Sequence, residues 1–283
     1  GTLVGASEIT MSAFALPSIR LDLGIDSATT AWVLTAYTLP LVAVGIPAGR
    51  WMDGADAGLV LLLALMAGGV ASVVSALPPG FGVLLLGRVL QGLAAAFFLG
   101  IYMPIIARTV RIDQRGAAIG LIGTLMMIGA IGLAPLGGLT AEAWGWRAVF
   151  LVKIPLIVVT MALGYRVIPR QPPAAQSGRK RLPLPDPAFF TESAWLAAAM
   201  ATLLMGLAAI EQHTARGLAL LGASLMLMFC WSRLATAAAV VNLLRRPRFG
   251  LPSLALTLVA STIGLASFSL PFYVSEVMNE NAR

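Results

Sequence analysis

Charged residues are scarce in this sequence and make up only 11% of its 283 positions. A soluble globular domain carries about a quarter. Hydrophobic residues account for 59%, and the mean hydropathy is +0.90. The composition therefore excludes an ordinary soluble domain and predicts an all-α, polytopic transmembrane helical bundle.

Cysteine and histidine are almost absent, with one residue of each type, Cys230 and His213. A single cysteine excludes an internal disulfide and a cysteine-cluster metal site. A single histidine removes most catalytic constellations. We therefore expect no enzymatic activity and no metal site.

Apolar runs recur along the chain, and several exceed the roughly 18 residues that mark a membrane-spanning helix. Because Gly1 lies inside one such run and Arg283 follows another, we expect a fragment truncated at both ends. We predict about nine spans, at 1–18, 29–50, 58–77, 81–104, 116–140, 147–168, 194–211, 217–235 and 250–275.

Lysine and arginine favour alternate loops. Thirteen lie in loops after even-numbered spans, and four lie in loops after odd-numbered spans or at the C-terminal end. Because basic residues mark cytoplasmic loops, we expect a multi-pass protein of the cytoplasmic (inner) membrane with a cytoplasmic N-terminus. The net charge of +7 is spread over loops on one membrane face, so we expect a lipid bilayer and no nucleic acid as partner.

Three ionisable residues, Glu8, Arg88 and Lys153, lie inside predicted spans, where their cost makes them functional candidates. At 1.5 Å per residue they lie roughly 15, 10 and 9 Å from the outer ends of their spans. Glu8 beside Arg88 is suited to binding and releasing a proton. Three structural alternatives remain open: pairing of Arg88 with backbone carbonyls, snorkelling of Lys153 to the outer headgroups, and a structural role for Glu8.

Glycine and proline interrupt the fifth predicted span in GAIGLAPLGG, residues 129–138. Gly129 and Gly132 share a helix face, and Pro135 frees a carbonyl and bends the helix. We predict a bent, closely packed contact between helices, which is either generic packing or a contact that moves during transport. Glycines four residues apart, another spacing typical of close helix packing, occur at Gly45 with Gly49 and at Gly116 with Gly120.

The ends of the spans carry further polar and aromatic residues. Trp144 and Trp146 are typical of an interfacial aromatic anchor. Glu211, at the outer end of span seven, is a candidate substrate contact. Asp22 and Asp53 are expected to be solvated.

Five motifs follow one another in a recognisable order. They are SEITMSAFALPSI (7–19), AWVLTAYTL (31–39), GRVLQGLAAA (87–96), GAIGLAPLGG (129–138) and WGWRAVFLVKIPL (144–156). In this order they resemble the major facilitator superfamily, specifically its fourteen-span drug:proton antiporter branch. Glu8 stands where that branch usually has Asp, and Lys153 stands where it usually has Asn.

The resemblance implies a domain order and a set of functional residues. The implied domains are a six-span bundle (1–168), a cytoplasmic linker (169–193), an extra pair of spans (194–235) and the first span of a C-terminal bundle (236–283). Proton coupling is implied at Glu8 and Arg88. Substrate-pathway candidates are Tyr37, Gln91, Lys153 and Glu211, and conformational-interface candidates are Gly49, Asp53, Gly129, Gly132, Pro135, Gly137 and Gly138.

Two departures from the family pattern stand out. In the loop GRWMDGADAG (49–58), Gly49 and Asp53 match, but the three basic positions of the pattern are Gly or Ala. Lys153 adds a positive charge, which either pairs with Glu8 or biases the site toward anionic substrates.

The expected function is proton-coupled efflux of drugs or amphipathic small molecules by alternating access, with protons and a small-molecule substrate as partners. The only cofactor expected is a proton gradient. The alternatives are a facilitator or importer of another solute on the same fold, and a non-transport membrane sensor or degenerate remnant.

Overall fold

The computed structural model describes residues 2–167, 182–210, 213–255, 257–259 and 262. A 3-10 turn, Ile112–Gln114, and a π-helical turn, Ile128–Gly132, flank the fifth α-helix. The α-helices of the described residues include α1 Thr2–Leu23, α2 Ser27–Met52, α3 Ala57–Ala76, α4 Phe81–Thr109, α5 Arg115–Met127, α6 Ala134–Trp144, α7 Trp146–Leu151, α8 Ile154–Val167, α9 Pro187–Ile210, α10 Thr214–Ser232 and α11 Ala238–Leu244. Residues 247–255 are also helical.

Seven helical segments of the described residues are long and apolar enough to cross a membrane, and they correspond to predicted spans two to eight. Predicted span one is helix α1, which lies outside that set of seven, and most of predicted span nine lies outside the described residues. The all-helical membrane bundle is confirmed. The seven segments are Ala28–Met52, Ala57–Ala76, Phe81–Ala107, Ile112–Gly132, Trp146–Arg166, Pro187–Ile210 and Thr214–Ser232.

The seventh span begins earlier than the sequence pattern predicts. Helix α9 starts at Pro187, seven residues before the predicted start at 194. Proline suits a first helical position, and the Asp186 carboxylate accepts the Phe189 N–H at 2.8 Å, which caps the helix. The C-terminal part of the predicted linker, 169–193, is therefore helical.

Two compact units divide the chain, residues 1–228 and 229–283. In the first unit, one apolar core joins α1, α2, α4 and α7 around Ala15, Val33, Leu84 and Phe150, each fully buried. In the second unit, α11 lies among the described residues. The candidate site described below belongs wholly to the first unit.

Two glycines allow α4 to approach its neighbours closely. A Cβ at Gly92 would overlap the main-chain oxygen of Tyr37 on α2, and one at Gly87 would overlap Ser75 on α3. Arg88 lies between these two glycines in sequence. This packing fixes the backbone that carries Arg88 against both neighbouring helices.

The fifth span is interrupted where glycine and proline cluster. Helix α5 passes into the π-helical turn, and α6 restarts after Leu133 with Pro135 in its first turn. A π turn inside a helix locally changes the hydrogen-bonding pattern. The predicted interruption at Pro135 is therefore present in the fold.

The close contact of this span lies further along than predicted. A Cβ at Gly137 would lie 2.7 Å from the Met11 Cα of α1, whereas one at Gly132 would meet only Ile128 of its own turn. Gly129 is buried, and Gly138 faces the Phe14 ring. The close contact predicted at Gly132 is therefore wrong, and the close approach to α1 lies at Gly137 instead.

Of the other two glycine pairs, only one member, Gly49, lies at a close approach of two helices. A Cβ at Gly45, Gly116 or Gly120 would meet no heavy atom of a neighbour within 4 Å. A Cβ at Gly100 would lie 3.4 Å from the Gly49 nitrogen, so α2 and α4 do approach at Gly49. Spacing alone therefore does not identify the contacts.

The sixth span is broken between α7 and α8. Val152 and Lys153 form the turn that separates these helices. Pro155 lacks the N–H that a continuous helix would donate to the carbonyl of residue 151. The break places Lys153 at a helix junction inside the bundle.

Candidate functional site: a buried charge cluster

Glu8 of α1 bridges two cations in the interior of the first unit. Its Oε1 accepts a hydrogen bond from Arg88 Nη1 at 2.8 Å, and its Oε2 accepts one from Lys153 Nζ at 2.5 Å. Arg88 is 0% exposed, Lys153 is 4% exposed and Glu8 is 6% exposed. These three predicted candidates therefore form one buried cluster of one carboxylate and two cations.

Two open alternatives are decided by this geometry. Lys153 does not snorkel to the outer headgroups, because its ammonium is buried and pairs with Glu8. Arg88 bonds a backbone carbonyl, that of Val33 at 2.9 Å, and also the Glu8 carboxylate. The arginine thus combines the structural contact with the predicted ion pair.

Arg88 is held on several sides. Its Nη1 also donates to Gln91 Oε1 at 2.8 Å, and its guanidinium carbon lies 4.7 Å from the centre of the Tyr37 ring. The Phe150 ring lies 5.7 Å from the same carbon and 5.5 Å from Lys153 Nζ. Aromatic faces attract such cations, so Tyr37 and Phe150 support the two positive charges.

Gln91 extends the cluster toward α3. Its Nε2 donates to Ser72 Oγ at 3.0 Å, and Ser75 Oγ donates to its Oε1 at 3.4 Å. Neither serine is among the candidates that the sequence motifs single out. The two serines are three residues apart on an otherwise apolar helix, which places both on one face. This pattern is the sequence feature that indicates them.

A small cavity of about 60 Å³ adjoins the cluster. Its polar lining includes the predicted candidates Glu8, Tyr37 and Gln91, together with Ser72. The apolar part of its lining is Ala64, Leu65, Gly68, Ala94, Ala95, Phe98 and Ile157. A cavity of this size with several polar groups is large enough for water.

A second ion pair lies at the end of α2 that leads into the loop 49–58. Arg50 Nη1 lies 2.6 Å from Oε1 of Glu192 on α9, and Trp51 Nε1 donates to the Pro183 carbonyl at 2.9 Å. Sequence reasoning missed Glu192 because it fell in the predicted linker. The N-terminal bundle and α9 are therefore tied together at this end.

The two acidic residues of the loop 49–58 have different surroundings. Asp53 is exposed at the end of α2, as expected. The carboxylate of Asp56 accepts the N–H groups of Gly58 and Leu59 at 3.0 and 3.1 Å and caps α3. Asp56 therefore supports the turn in a loop whose usual basic positions are Gly or Ala.

The two tryptophans after α6 do not share one environment. Trp144 is exposed, but Trp146 is buried and its Nε1 donates to Asp22 Oδ2 at 3.2 Å. The Arg147 guanidinium also contacts Asp22, at 3.0 Å. The predicted anchor is wrong for Trp146, because the apolar core and Asp22 hold it inside the bundle. Asp22 is exposed, as expected, and pairs with Arg147 at the surface. The remaining substrate-pathway candidate of the sequence, Glu211, lies outside the described residues.

An apolar helical bundle with ionisable groups buried among its spans is the architecture of a polytopic membrane transporter. The sequence matches the profile of the Major Facilitator Superfamily over residues 1–279, and the chain belongs to that family. It is accordingly a multi-pass membrane protein of a transporter family.

Three relatives illustrate the range of this family. The riboflavin transporter RibZ of Clostridioides difficile is 24% identical over 94% of this chain and 57% of its own length. The multidrug resistance protein B homolog of Mycobacterium tuberculosis is 30% identical over 59% of this chain and 31% of its own. The puromycin resistance protein pur8 of Streptomyces alboniger is 33% identical over 60% and 34%. The chain thus spans between about a third and about half of the length of these curated relatives.

Proposed function

We propose that this protein exports drugs or other amphipathic small molecules in exchange for protons, by alternating access. The observation that carries the proposal is the buried Glu8 carboxylate, which contacts Arg88 and Lys153 and lines a cavity. Ionisable groups buried within a membrane bundle are costly and typically serve ion or substrate pathways. The names of two relatives, a multidrug resistance protein and a puromycin resistance protein, support efflux.

In this mechanism Glu8 takes part in binding and releasing the proton, and Arg88 orients its carboxylate. Alternating access requires that one bundle rock against another around a fixed site. The fifth span, with its π-helical turn and its contact at Gly137, is the proposed moving interface. Substrate and proton then bias the same two conformations in opposite directions.

We also propose the membrane arrangement: the inner membrane, a cytoplasmic N-terminus, and residues 194–235 as an extra pair of spans in a fourteen-span protein. Replacing Cys230 by serine removes the single cysteine of this chain. Gly54→Cys and Pro79→Cys then each place one thiol in an exposed loop on opposite predicted sides. An impermeant thiol reagent applied to intact cells should label Pro79→Cys and spare Gly54→Cys; the reverse pattern would invert the orientation.

The central test measures proton movement in inverted membrane vesicles from cells that express the complete reading frame. Addition of puromycin should drive protons across the membrane in the wild type, and Glu8→Gln should abolish this movement. Glu142→Gln, which alters an exposed carboxylate on α6, is the matched control and should retain it. Undiminished proton movement in Glu8→Gln would remove Glu8 from the coupling mechanism.

A second candidate function is uncoupled or inward transport of another solute. The riboflavin transporter, whose match covers 94% of this chain, favours it. In that case riboflavin would accumulate in whole cells and its addition to vesicles would move no protons. Puromycin-driven proton movement in the vesicle assay would support the antiporter, whereas riboflavin accumulation in cells without proton movement on addition of either compound would support the second function.

A further inference from the structure

The buried cluster contains more positive than negative charge. Arg88 and Lys153 contribute two positive formal charges and Glu8 contributes one negative charge, so the sum is +1. A proton added to Glu8 would raise the sum to +2, whereas a proton lost from Lys153 would lower it to zero. Charge interactions are strong in a buried, poorly solvated site. Loss of the Lys153 proton removes its repulsion with Arg88 together with its attraction to Glu8, and the Glu8–Arg88 pair remains. A proton added to Glu8 instead leaves two buried cations without an anion.

Of the two cations, only Lys153 can give up a proton. A guanidinium stays protonated in proteins, whereas a buried lysine ammonium exchanges its proton far more readily. Arg88 is also held by the Val33 carbonyl and by Gln91. It is thus a fixed counter-ion that can keep Glu8 paired when Lys153 is neutral.

We propose that Lys153 stores the proton that this transporter exchanges, and that Glu8 relays it. The inference rests on the proposed proton coupling and adds the residue that holds the proton. Lys153 stands where the similar antiporters usually have asparagine, so this store would be a feature of this chain.

The relay has two steps. First, an N–H bond of the Lys153 ammonium breaks, its electron pair remains on Nζ, and the proton forms an O–H bond at Glu8 Oε2, 2.5 Å away. Lys153 is then a neutral amine and Glu8 a neutral acid. Second, the proton leaves Glu8 for water in the adjoining cavity, and the carboxylate remains paired with Arg88. A proton entering from the opposite side restores the ammonium.

The surroundings of Lys153 leave few groups that can influence this exchange. Glu8 of α1 and Arg88 of α4 are the charged groups beside it, with Tyr37 of α2 against Arg88. The sequence of α3, Ala57–Ala76, contains no ionisable residue. Glu142 of α6 is exposed. Among the described residues, Glu8 and Arg88 therefore set the charge state of Lys153.

Lys153→Arg is the variant that isolates the proposal, because it keeps the charge but cannot release the proton. In inverted vesicles, puromycin-driven proton movement should fall at least tenfold, while exchange of labelled for unlabelled puromycin across the membrane continues. A lysine that served only as a structural counter-ion would be replaced by arginine with proton movement intact. That result would overturn the proposal.

A measurement on the wild type avoids any folding defect of the variant. NMR of isotopically labelled lysine side chains reports the charge state of Lys153 directly. The Lys153 signal is assigned by its loss in Lys153→Met. It should change from the ammonium to the amine form when puromycin is added.

The outcomes separate the two proposals. A Lys153 signal that stays in the ammonium form while puromycin drives proton movement would overturn the lysine store and leave the antiporter intact. Absence of puromycin-driven and riboflavin-driven proton movement in the wild type would instead overturn the proposed coupling.

Discussion

Arg50 and Glu192 form an ion pair of 2.6 Å between α2 and α9, across 142 residues of sequence. The Glu192 carboxylate is 1% exposed, whereas the Arg50 side chain is 32% exposed. The pair has one buried member and one that water reaches. Loss of the arginine would leave a buried carboxylate without its cation, and loss of the carboxylate would leave a cation that water can solvate.

We therefore expect Arg50→Gln to be more destabilising than Glu192→Gln. An unpaired buried charge costs more than an unpaired exposed one, and a hydrogen bond to a charged group contributes about 1.5–3 kcal/mol. Thermal unfolding of the purified protein in detergent measures both. Glu142→Gln, on the exposed side of α6, should leave the unfolding temperature unchanged. Equal effects in the two variants would contradict the asymmetry of the pair.

Gly137→Ala should disturb the packing of α6 on α1. Its new methyl group would lie 2.7 Å from the Met11 Cα and 2.8 Å from the Met11 oxygen, and backbone atoms cannot give way as a flexible side chain does. Overpacking of this kind costs about 1–3 kcal/mol. Unfolding in increasing denaturant measures the change, and puromycin export should fall with it.

The matched control is Gly120→Ala in the preceding helix α5, where the added Cβ meets no neighbour within 4 Å. Alanine favours a helix over glycine by about 1 kcal/mol, so this variant should be neutral or slightly more stable. A stability loss at Gly120 equal to that at Gly137 would mean that glycine is needed for another reason than the Met11 contact.

The geometry of the charge cluster predicts which of two variants, Glu8→Gln or Lys153→Met, is the less stable. Glu8→Gln leaves Arg88 and Lys153 buried without an anion, and removal of one partner from a buried pair costs about 3–5 kcal/mol. Lys153→Met leaves the Glu8–Arg88 pair and should be clearly less destabilising. Denaturant unfolding of both variants tests the order, and the reverse order would mean that Lys153 is the more important partner of Glu8.

In the loop 49–58, we expect substitution of Asp56 to affect stability and substitution of Asp53 to affect transport. Asp56→Ala removes the cap of α3 and should cost about 1 kcal/mol, whereas Asp56→Asn preserves a capping oxygen and should cost little. Asp53→Asn changes an exposed residue and should leave the unfolding temperature unchanged. If Asp53 acts in gating as the resemblance implies, the export rate falls in that variant alone.

The sequence predicts the helices of the described spans well because their length and apolarity are local properties. It also places Glu8, Arg88 and Lys153 at similar depth, since depth follows from counting residues along a helix. It leaves open which way each side chain faces. Pairing of Lys153 with Glu8 and snorkelling to the headgroups are both consistent with the same position, and the buried contact of Lys153 Nζ with Glu8 separates them.

Contacts between distant elements were the part that sequence patterns did not supply. Glu192 reaches Arg50 only because α9 begins at Pro187 and packs against α2. Ser72 and Gln91 meet because Gly87 lets α3 and α4 approach. In both cases the determining property is the distance between two backbones, which no local pattern of polarity records.

The length of the π-helical turn at Ile128–Gly132 determines which side of the following helix, α6, faces α1. Each residue of an α-helix advances the chain by about 100°, so deletion of one residue from this turn would rotate α6 by roughly that angle. Gly137 would then face away from Met11, and Gly138 would take its place; deletion of a second residue would bring Leu139 there instead. The length of this segment therefore decides which residue of α6 meets Met11, and the two adjacent glycines accommodate a shift of one residue but not of two.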